Sequence, residues 1–262
     1  MNDWVTKVLG MPVDASTHGY AIDNMLFILH IFMLLLFIGW SIFFITALVR
    51  FRKSVHPKTV ADKAHGRISN FIELGVVVIE AVLLIGFAFP LWAQRVAAFP
   101  PEKDSVLVHA IGEQFAWNLH YPGVDGVFGK RAPSLVTSDN PTGLDQKDPN
   151  AKDDITTINQ LHLPVGKPAI IHISSKDVIH GFSLRQMRIS QDAIPGQNIP
   201  VWFIPKKMGN YEIICTQLCG LGHYRMRGFL TIDTPEDFSK WLVEQAPKKA
   251  EASVNGQQPS VA

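Results

Sequence analysis

The hydrophobic pattern changes character near residue 100. Before that point apolar residues form two long unbroken runs; after it they come in short bursts separated by turn residues. The first run, Met25 to Val49, carries no charge and one histidine, His30, which reads as a helix–helix contact. At ~1.5 Å per helical residue it covers a hydrocarbon core of roughly 30 Å, and it lacks the polar face of a helix buried in a soluble protein. The second run, Phe71 to Trp92, closes on Pro90-Leu91-Trp92, a tryptophan suited to a membrane interface. The pair predicts a transmembrane helical hairpin over 25–95. It is preceded by an extramembrane segment, 1–24, in which Gly10, Pro12 and Gly19 interrupt regular structure. That segment does not have the layout of a cleaved signal peptide.

Charge sets the orientation. Arg50, Arg52, Lys53, Lys58, Lys63 and Arg67 stand against Asp62 alone between the two runs, which places this link on the cytoplasmic side. Pro57 ends any continuation of the first helix. The second run carries two carboxylates, Glu73 and Glu80, seven residues apart and so on one helix face. A carboxylate in a membrane is costly, and it marks either function or a partner helix. Glu73, near the cytoplasmic end, is a proton-pathway candidate. Glu80, near the middle, is expected to be protonated or bonded to a partner helix.

After Pro100-Pro101 the chain reads as a water-soluble domain. Six segments have strand character: 105–111, 116–121, 169–174, 199–204, 211–214 and 228–232. They are short, rich in Val, Ile and aromatics, and bounded by Gly, Pro and Asp. This favours an antiparallel β-sandwich or barrel over 101–246. Residues 122–160, dense in Gly, Pro, Asp and Asn, read as a surface excursion. Thr234-Pro235-Glu236-Asp237 is a helix start, and the helix is expected to run to about Gln245. The tail, 247–262, is expected to be disordered. The fold class is therefore an α+β membrane protein, a two-helix transmembrane hairpin followed by an antiparallel β-sandwich or barrel. Net charge supports this: the whole chain is +1, and residues 101–262 hold 16 Lys and Arg against 17 Asp and Glu, which argues against nucleic acid as a partner.

The chemistry concentrates in Cys215-Thr-Gln-Leu-Cys219-Gly-Leu-Gly-His223-Tyr-Arg-Met226, which holds both cysteines of the chain. Thiolate, imidazole and thioether are the ligands that soft transition metals prefer, copper above all. A local Cys215–Cys219 disulfide is the plainer alternative. A second histidine would come from elsewhere: His180, at a strand end in a turn, is favoured over His172, within a strand. Two thiolates, two imidazoles and a thioether exceed the needs of a mononuclear blue-copper site. Structural zinc would leave Met226 without a use. Two coppers bridged by both sulfurs use all five.

Two spans, then a β domain carrying Cys-x₃-Cys-x₃-His-x₂-Met, resembles subunit II of the cytochrome c oxidases of the haem–copper superfamily. Asp177-Val-Ile-His180 and Gln191-Asp192-Ala-Ile-Pro-Gly196 match further family patterns, and the resemblance covers roughly 25–245. It implies a cupredoxin-like domain with a dinuclear copper A centre held by His180, Cys215, Cys219, His223, Met226 and the backbone carbonyl of Gln217. It also implies that a c-type cytochrome donates electrons, that Phe115 and Trp117 lie where electrons enter, and that a haem of subunit I receives them for reduction of oxygen to water coupled to proton translocation. The implied partners are subunit I and subunit III. The implied location is a bacterial inner membrane, crossed more than once, with the copper domain on the periplasmic side. Aromatic alternation around Phe115 also suits plain core packing. Relatives have glutamate where Gln217 stands, helping to hold magnesium at the boundary with subunit I. A neutral amide is a poorer ligand for a hard cation, which argues against that site here. The alternatives are the copper A subunit of a nitric oxide reductase and a membrane-tethered copper-binding protein.

Overall fold

The structure, a computed structural model, describes Lys7, residues 10–55 and residues 67–247. Pro57, Lys58, Asp62 and Lys63 of the basic link, and the tail from 248 onward, lie outside the described residues.

Helix α1 spans Gly19–Arg50, starting before the apolar run. Its early start has a cause. Asp23, in the second turn, is buried and paired with Arg188 of the β domain, Nε to Oδ1 at 2.6 Å and Nη2 to Oδ2 at 2.8 Å. Beyond that anchor the helix exposes apolar side chains on all sides, as in Phe37 at 70% and Phe43 at 64%. The second helix is continuous from α2 (Arg67–Ala81) through a π-helical stretch, Val82–Ala88, into α3 (Phe89–Val96). It runs on to Val96, four residues past the end of the apolar run at Trp92. Proline has no N–H and its ring collides with the carbonyl four residues back in an α-helix. Here the turn before it is widened, with Phe89 N–H donating to Leu84 O, and the π stretch absorbs the mismatch. Both helices are long and apolar enough to cross a membrane.

The β domain is a sandwich of two five-stranded sheets. The first has the order β3 (Ile155–Ile158), β2 (Ala116–Tyr121), β1 (Val106–Glu113), β5 (Ala169–Ser175), β8 (Ile199–Phe203). The second has the order β4 (Gln160–Pro164), β10 (Arg227–Asp233), β9 (Gly209–Cys215), β6 (His180–Leu184), β7 (Ile189–Ala193). The sandwich is mixed rather than purely antiparallel, because β1 pairs β5 and β4 pairs β10 in parallel. Four strands, β3, β4, β6 and β7, went unread in the sequence. β6 is buried at every position and lacks the alternation that announces a strand, and β7 carries Ser, Gln and Asp.

Alternation does position the core. Val108 and Ala110 of β1 and Trp117, Leu119 and Tyr121 of β2 meet Leu161, Leu163, Phe182, Ile213 and Leu230 of the second sheet, all at most 1% exposed. The Tyr121 hydroxyl ties the sheets together, accepting from His162 N at 2.8 Å. Helix α4 (Pro235–Gln245) closes one end; Thr234 Oγ1 accepts from Asp237 N at 3.1 Å as its cap, and Trp241 stacks on His162 at 4.3 Å. The lead-in before α1 lies against the domain: Ser16 bridges Pro205, and Ala15 N–H donates to Gln186 O at 2.8 Å.

Candidate metal centre

Strand β9 ends on Cys215, and β10 begins one residue after Met226. The 216–226 loop between them is tied at its base by Cys215 N donating to Met226 O. Inside the loop Gly220 takes φ +134, a conformation that residues with a side chain rarely adopt. Gly222 lies flat on the Phe115 ring, where a Cβ would come within 2.4 Å of Cδ2. His180 opens β6, the strand paired with β9 in the register Phe182↔Cys215, and its ring is fully buried. It fits only because residue 112 is glycine: a Cβ there would stand 2.8 Å from His180 Cδ2.

These elements converge their donors. Cys215 Sγ and Cys219 Sγ are 3.8 Å apart and unbonded, which answers the disulfide alternative. His180 Nδ1 lies 4.0 Å from Cys215 Sγ, and Gln217 O lies 3.3 Å from the same sulfur. Around Cys219 Sγ stand His223 Nδ1 and Met226 Sδ, each at 3.7 Å. Donors that share one ion at metal–sulfur lengths of ~2.3 Å and metal–nitrogen lengths of ~2.0 Å lie about 3.5–4 Å apart, so these residues fit a soft metal without rearrangement. His180, Cys215 and Cys219 form the tightest group, all donor atoms within 4.8 Å of one another. His172 stands elsewhere, tilted against His109 at 5.1 Å on the first sheet.

The thiols are unequal. Burial resists ionisation of Cys215, but hydrogen bonds from His180, the backbone of Gly181 and Gln217, and His223 outweigh it and lower its pKa. Burial pushes Cys219 up, and so does the neighbouring Cys215. The pair therefore gives up one proton readily and holds the second, which a metal would displace.

Two residues beyond the expected set orient the donors. Asp177 accepts from His180 Nε2 at 2.9 Å, which leaves Nδ1 facing the sulfurs. Gln114 N donates to Asp177 at 2.8 Å, while Gln114 Nε2 donates to Cys219 O at 2.6 Å. The carboxylate three residues before His180 was the only sequence signal for this role. Trp117 is fully buried, edge-on to His180 at 5.9 Å, and has no surface to offer a partner. Phe115 is half-buried as the floor of the loop. The exposed apolar groups are Leu218, Leu221 and Tyr224, at 85%, 96% and 82%. Glu73 accepts from Ser69 Oγ at 3.1 Å on α2.

The family model for the cytochrome c oxidase subunit II periplasmic domain matches residues 106–232. The alternative cytochrome c oxidase subunit 2 of Bradyrhizobium diazoefficiens is 30% identical over 213 residues, which cover 80% of this chain and 73% of that protein. The cytochrome c oxidase subunit 2 of Thermostichus vulcanus is 33% identical over 158 residues, covering 55% of this chain and 38% of that protein. A solved periplasmic domain of cytochrome oxidase subunit II from Bradyrhizobium japonicum aligns at 25% identity with a TM-score of 0.42, over 56% of this chain and 96% of that one. With the sandwich, the two apolar helices and the sulfur–imidazole cluster already in place, the chain belongs to the cytochrome c oxidase subunit II family, as a membrane-associated subunit of an oxidoreductase complex with a periplasmic β domain.

Proposed function

We propose that this chain accepts electrons from a c-type cytochrome at a dinuclear copper A centre and passes them to a haem of subunit I, where oxygen is reduced to water with proton translocation. The observation that carries the reading is the donor set itself: two thiolates at bridging separation, with His180 and Gln217 O beside one and His223 and Met226 beside the other. A copper pair held there would supply reversible one-electron storage. His180, Cys215, Cys219, His223, Met226 and the Gln217 carbonyl would hold it. Because the protein would supply every ligand, no position is left for a substrate, and electron transfer suits the site better than oxygen binding.

The residues around the donors have supporting roles. Asp177 fixes the His180 tautomer, and Trp117, itself packed against Phe182, covers that ring edge-on. Phe115 supports the loop from below, and Leu218, Leu221 and Tyr224 present an apolar rim to a partner protein. Phe115 is the expected site of electron input at its exposed edge, with Trp117 behind it. In the same reading α1 and the second helix form a hairpin in a bacterial inner membrane against subunit I, with subunit III in the same assembly, and the sandwich stands on the periplasmic side. Glu73 would lie at a proton-uptake pathway. Gln217 spends its amide on Asp192 and leaves magnesium one carboxylate short.

Metal analysis and electron paramagnetic resonance of the copper-loaded full chain test this. Two coppers per chain and a mixed-valence signal are expected; one copper with a mononuclear spectrum would sink the dinuclear reading.

A further inference from the structure

A cavity of about 480 Å³ lies where the two apolar helices meet the β domain. Its walls include His18 and Ile22 at the head of α1, Trp92, Arg95 and Val96 at the end of α3, and Trp202 of β8. It shares no residue with the metal centre.

Its electrostatics are one-sided. The Arg95 guanidinium stacks 3.7 Å above the Trp202 ring and donates to Trp202 O at 2.5 Å, while Trp202 Nε1 donates back to Arg95 O at 3.1 Å. Arg95 is thus held rigidly, yet it has no carboxylate partner among the described residues. Arg188, also on the wall, is neutralised by Asp23. His18 faces the same space with both ring nitrogens buried; the Arg188 backbone lies near the ring, and neither nitrogen has a side-chain hydrogen-bond partner among the described residues. Burial, then the Arg95 charge, outweigh the opposing pull of Asp14 and the Arg188 backbone and lower its pKa to about 4, so it is a neutral ring beside an unpaired cation. Such a pair costs free energy until an anion arrives. An oxyanion between them would accept from the guanidinium and from one imidazole N–H.

The remaining wall says what carries the anion. Ile22 and the exposed faces of Trp92 (61%) and Val96 (47%) run on into the apolar surfaces of the helices. Indoles at the outer end of a span sit at headgroup level. The volume falls among ordinary small-molecule sites, about 300–1,000 Å³.

We propose that this cavity binds a phospholipid, with Arg95 and His18 on its phosphodiester and its acyl chains along Ile22, Val96 and Trp92, so that one lipid fills the joint between the spans and the β domain. The inference rests on both helices being membrane spans and is independent of the copper centre.

Native mass spectrometry of the full chain, purified in mild detergent and washed free of loosely bound lipid, tests it. One phospholipid per chain should remain. Arg95→Gln and His18→Ala should each retain at least tenfold less, while Arg95→Lys, which keeps the charge, should fall by less than threefold. Far-UV circular dichroism serves as the folding control, so that even if Arg95→Gln is unstable, His18→Ala decides. Dihexanoyl phosphatidylglycerol should displace the retained lipid at concentrations where inorganic phosphate does not. Displacement by phosphate at equal concentration would overturn the lipid in favour of a free-anion site. Unchanged lipid retention in both variants would overturn the proposal, and if Arg95→Gln instead loosened subunit I in the purified oxidase, the cavity would be a protein joint.

Discussion

The Gln217 side-chain amide donates to both carboxylate oxygens of Asp192, at 3.0 and 3.1 Å, and so fastens the metal loop to β7. Replacing it by glutamate would set two carboxylates face to face, which favours either proton uptake or a hard cation. Gln217→Glu should keep its copper, since the backbone carbonyl is unchanged, and should bind Mn²⁺ at least about tenfold tighter than the parent. Manganese paramagnetic resonance titration of the full chain measures this; equal affinity would mean that the pair lies too far from other oxygen donors to matter.

Gly222 and Phe115 make a second tight pair. A methyl on residue 222 would collide with the ring, so Gly222→Ala should displace the loop at a cost of about 1–3 kcal/mol and lower copper affinity. Removing the ring in Gly222→Ala/Phe115→Ala should return part of the affinity even though Phe115→Ala alone weakens it. Copper titration through this double-mutant cycle gives the coupling, and strict additivity would reject direct contact.

Met226 is buried and touches only one of the two sulfurs at 3.7 Å, the placement of a weak, tuning donor. Met226→Leu should retain copper and shift the reduction potential. Cys215→Ser removes a donor that stands beside His180, Gln217 O and Cys219, and should abolish the centre. Metal content with redox titration separates the two outcomes; equal copper loss would count against a weak Met226.

On the outer face of the first sheet, burial first, and then the charges of Arg131, His172 and His120, lower the pKa of His109 to about 2. Its folded pKa lies below the unfolded value of ~6.5, so between those limits the unfolded chain binds more protons. Stability should therefore be full above pH 6.5 and fall as pH drops below it, by about 1–2 kcal/mol between pH 7 and pH 5. His18 acts in the same direction. His109→Gln, which cannot charge but still accepts from Arg131, should flatten the dependence; denaturant melts at the two pH values report it.

Glu73 bonds Ser69 and stands on the same face as Glu80, whose side chain is exposed on the helix. Glu73→Gln should slow turnover of the assembled oxidase several-fold with copper content unchanged. Turnover equal to the parent's, in oxygen-consumption assays, would remove Glu73 from the proton route.

Much of this was legible beforehand because the signals were local. Thr234 announces α4 through its own hydroxyl, β2 runs over the predicted residues 116–121, and the loop spacing from Cys215 to Met226 brings its donors together wherever the loop folds back. What failed was what depends on distant partners. β6 hides in the sequence because both its faces are buried, and the π turn before Pro90 has no sequence mark of its own. The sequence left Trp117 open between electron entry and core packing; its place in the core, edge-on to His180 sixty-three residues further on, depends on the fold. Asp177 shows the same limit: it stands three residues from His180 in sequence, but Gln114 N–H, sixty-three residues away, holds its other oxygen.

The Arg188–Asp23 pair and the strap at Ala15 and Ser16 join residues more than 160 positions apart. The β domain is therefore moored to the head of α1 as well as to the end of α3, and it cannot swing about the 97–101 connection as a tethered domain would. Electron tunnelling falls off steeply with separation, so a fixed mount converts a spread of donor–acceptor distances into one. In the proposed electron-transfer role, an ion pair that includes none of the candidate metal ligands would thus govern how uniform the transfer rate is from molecule to molecule.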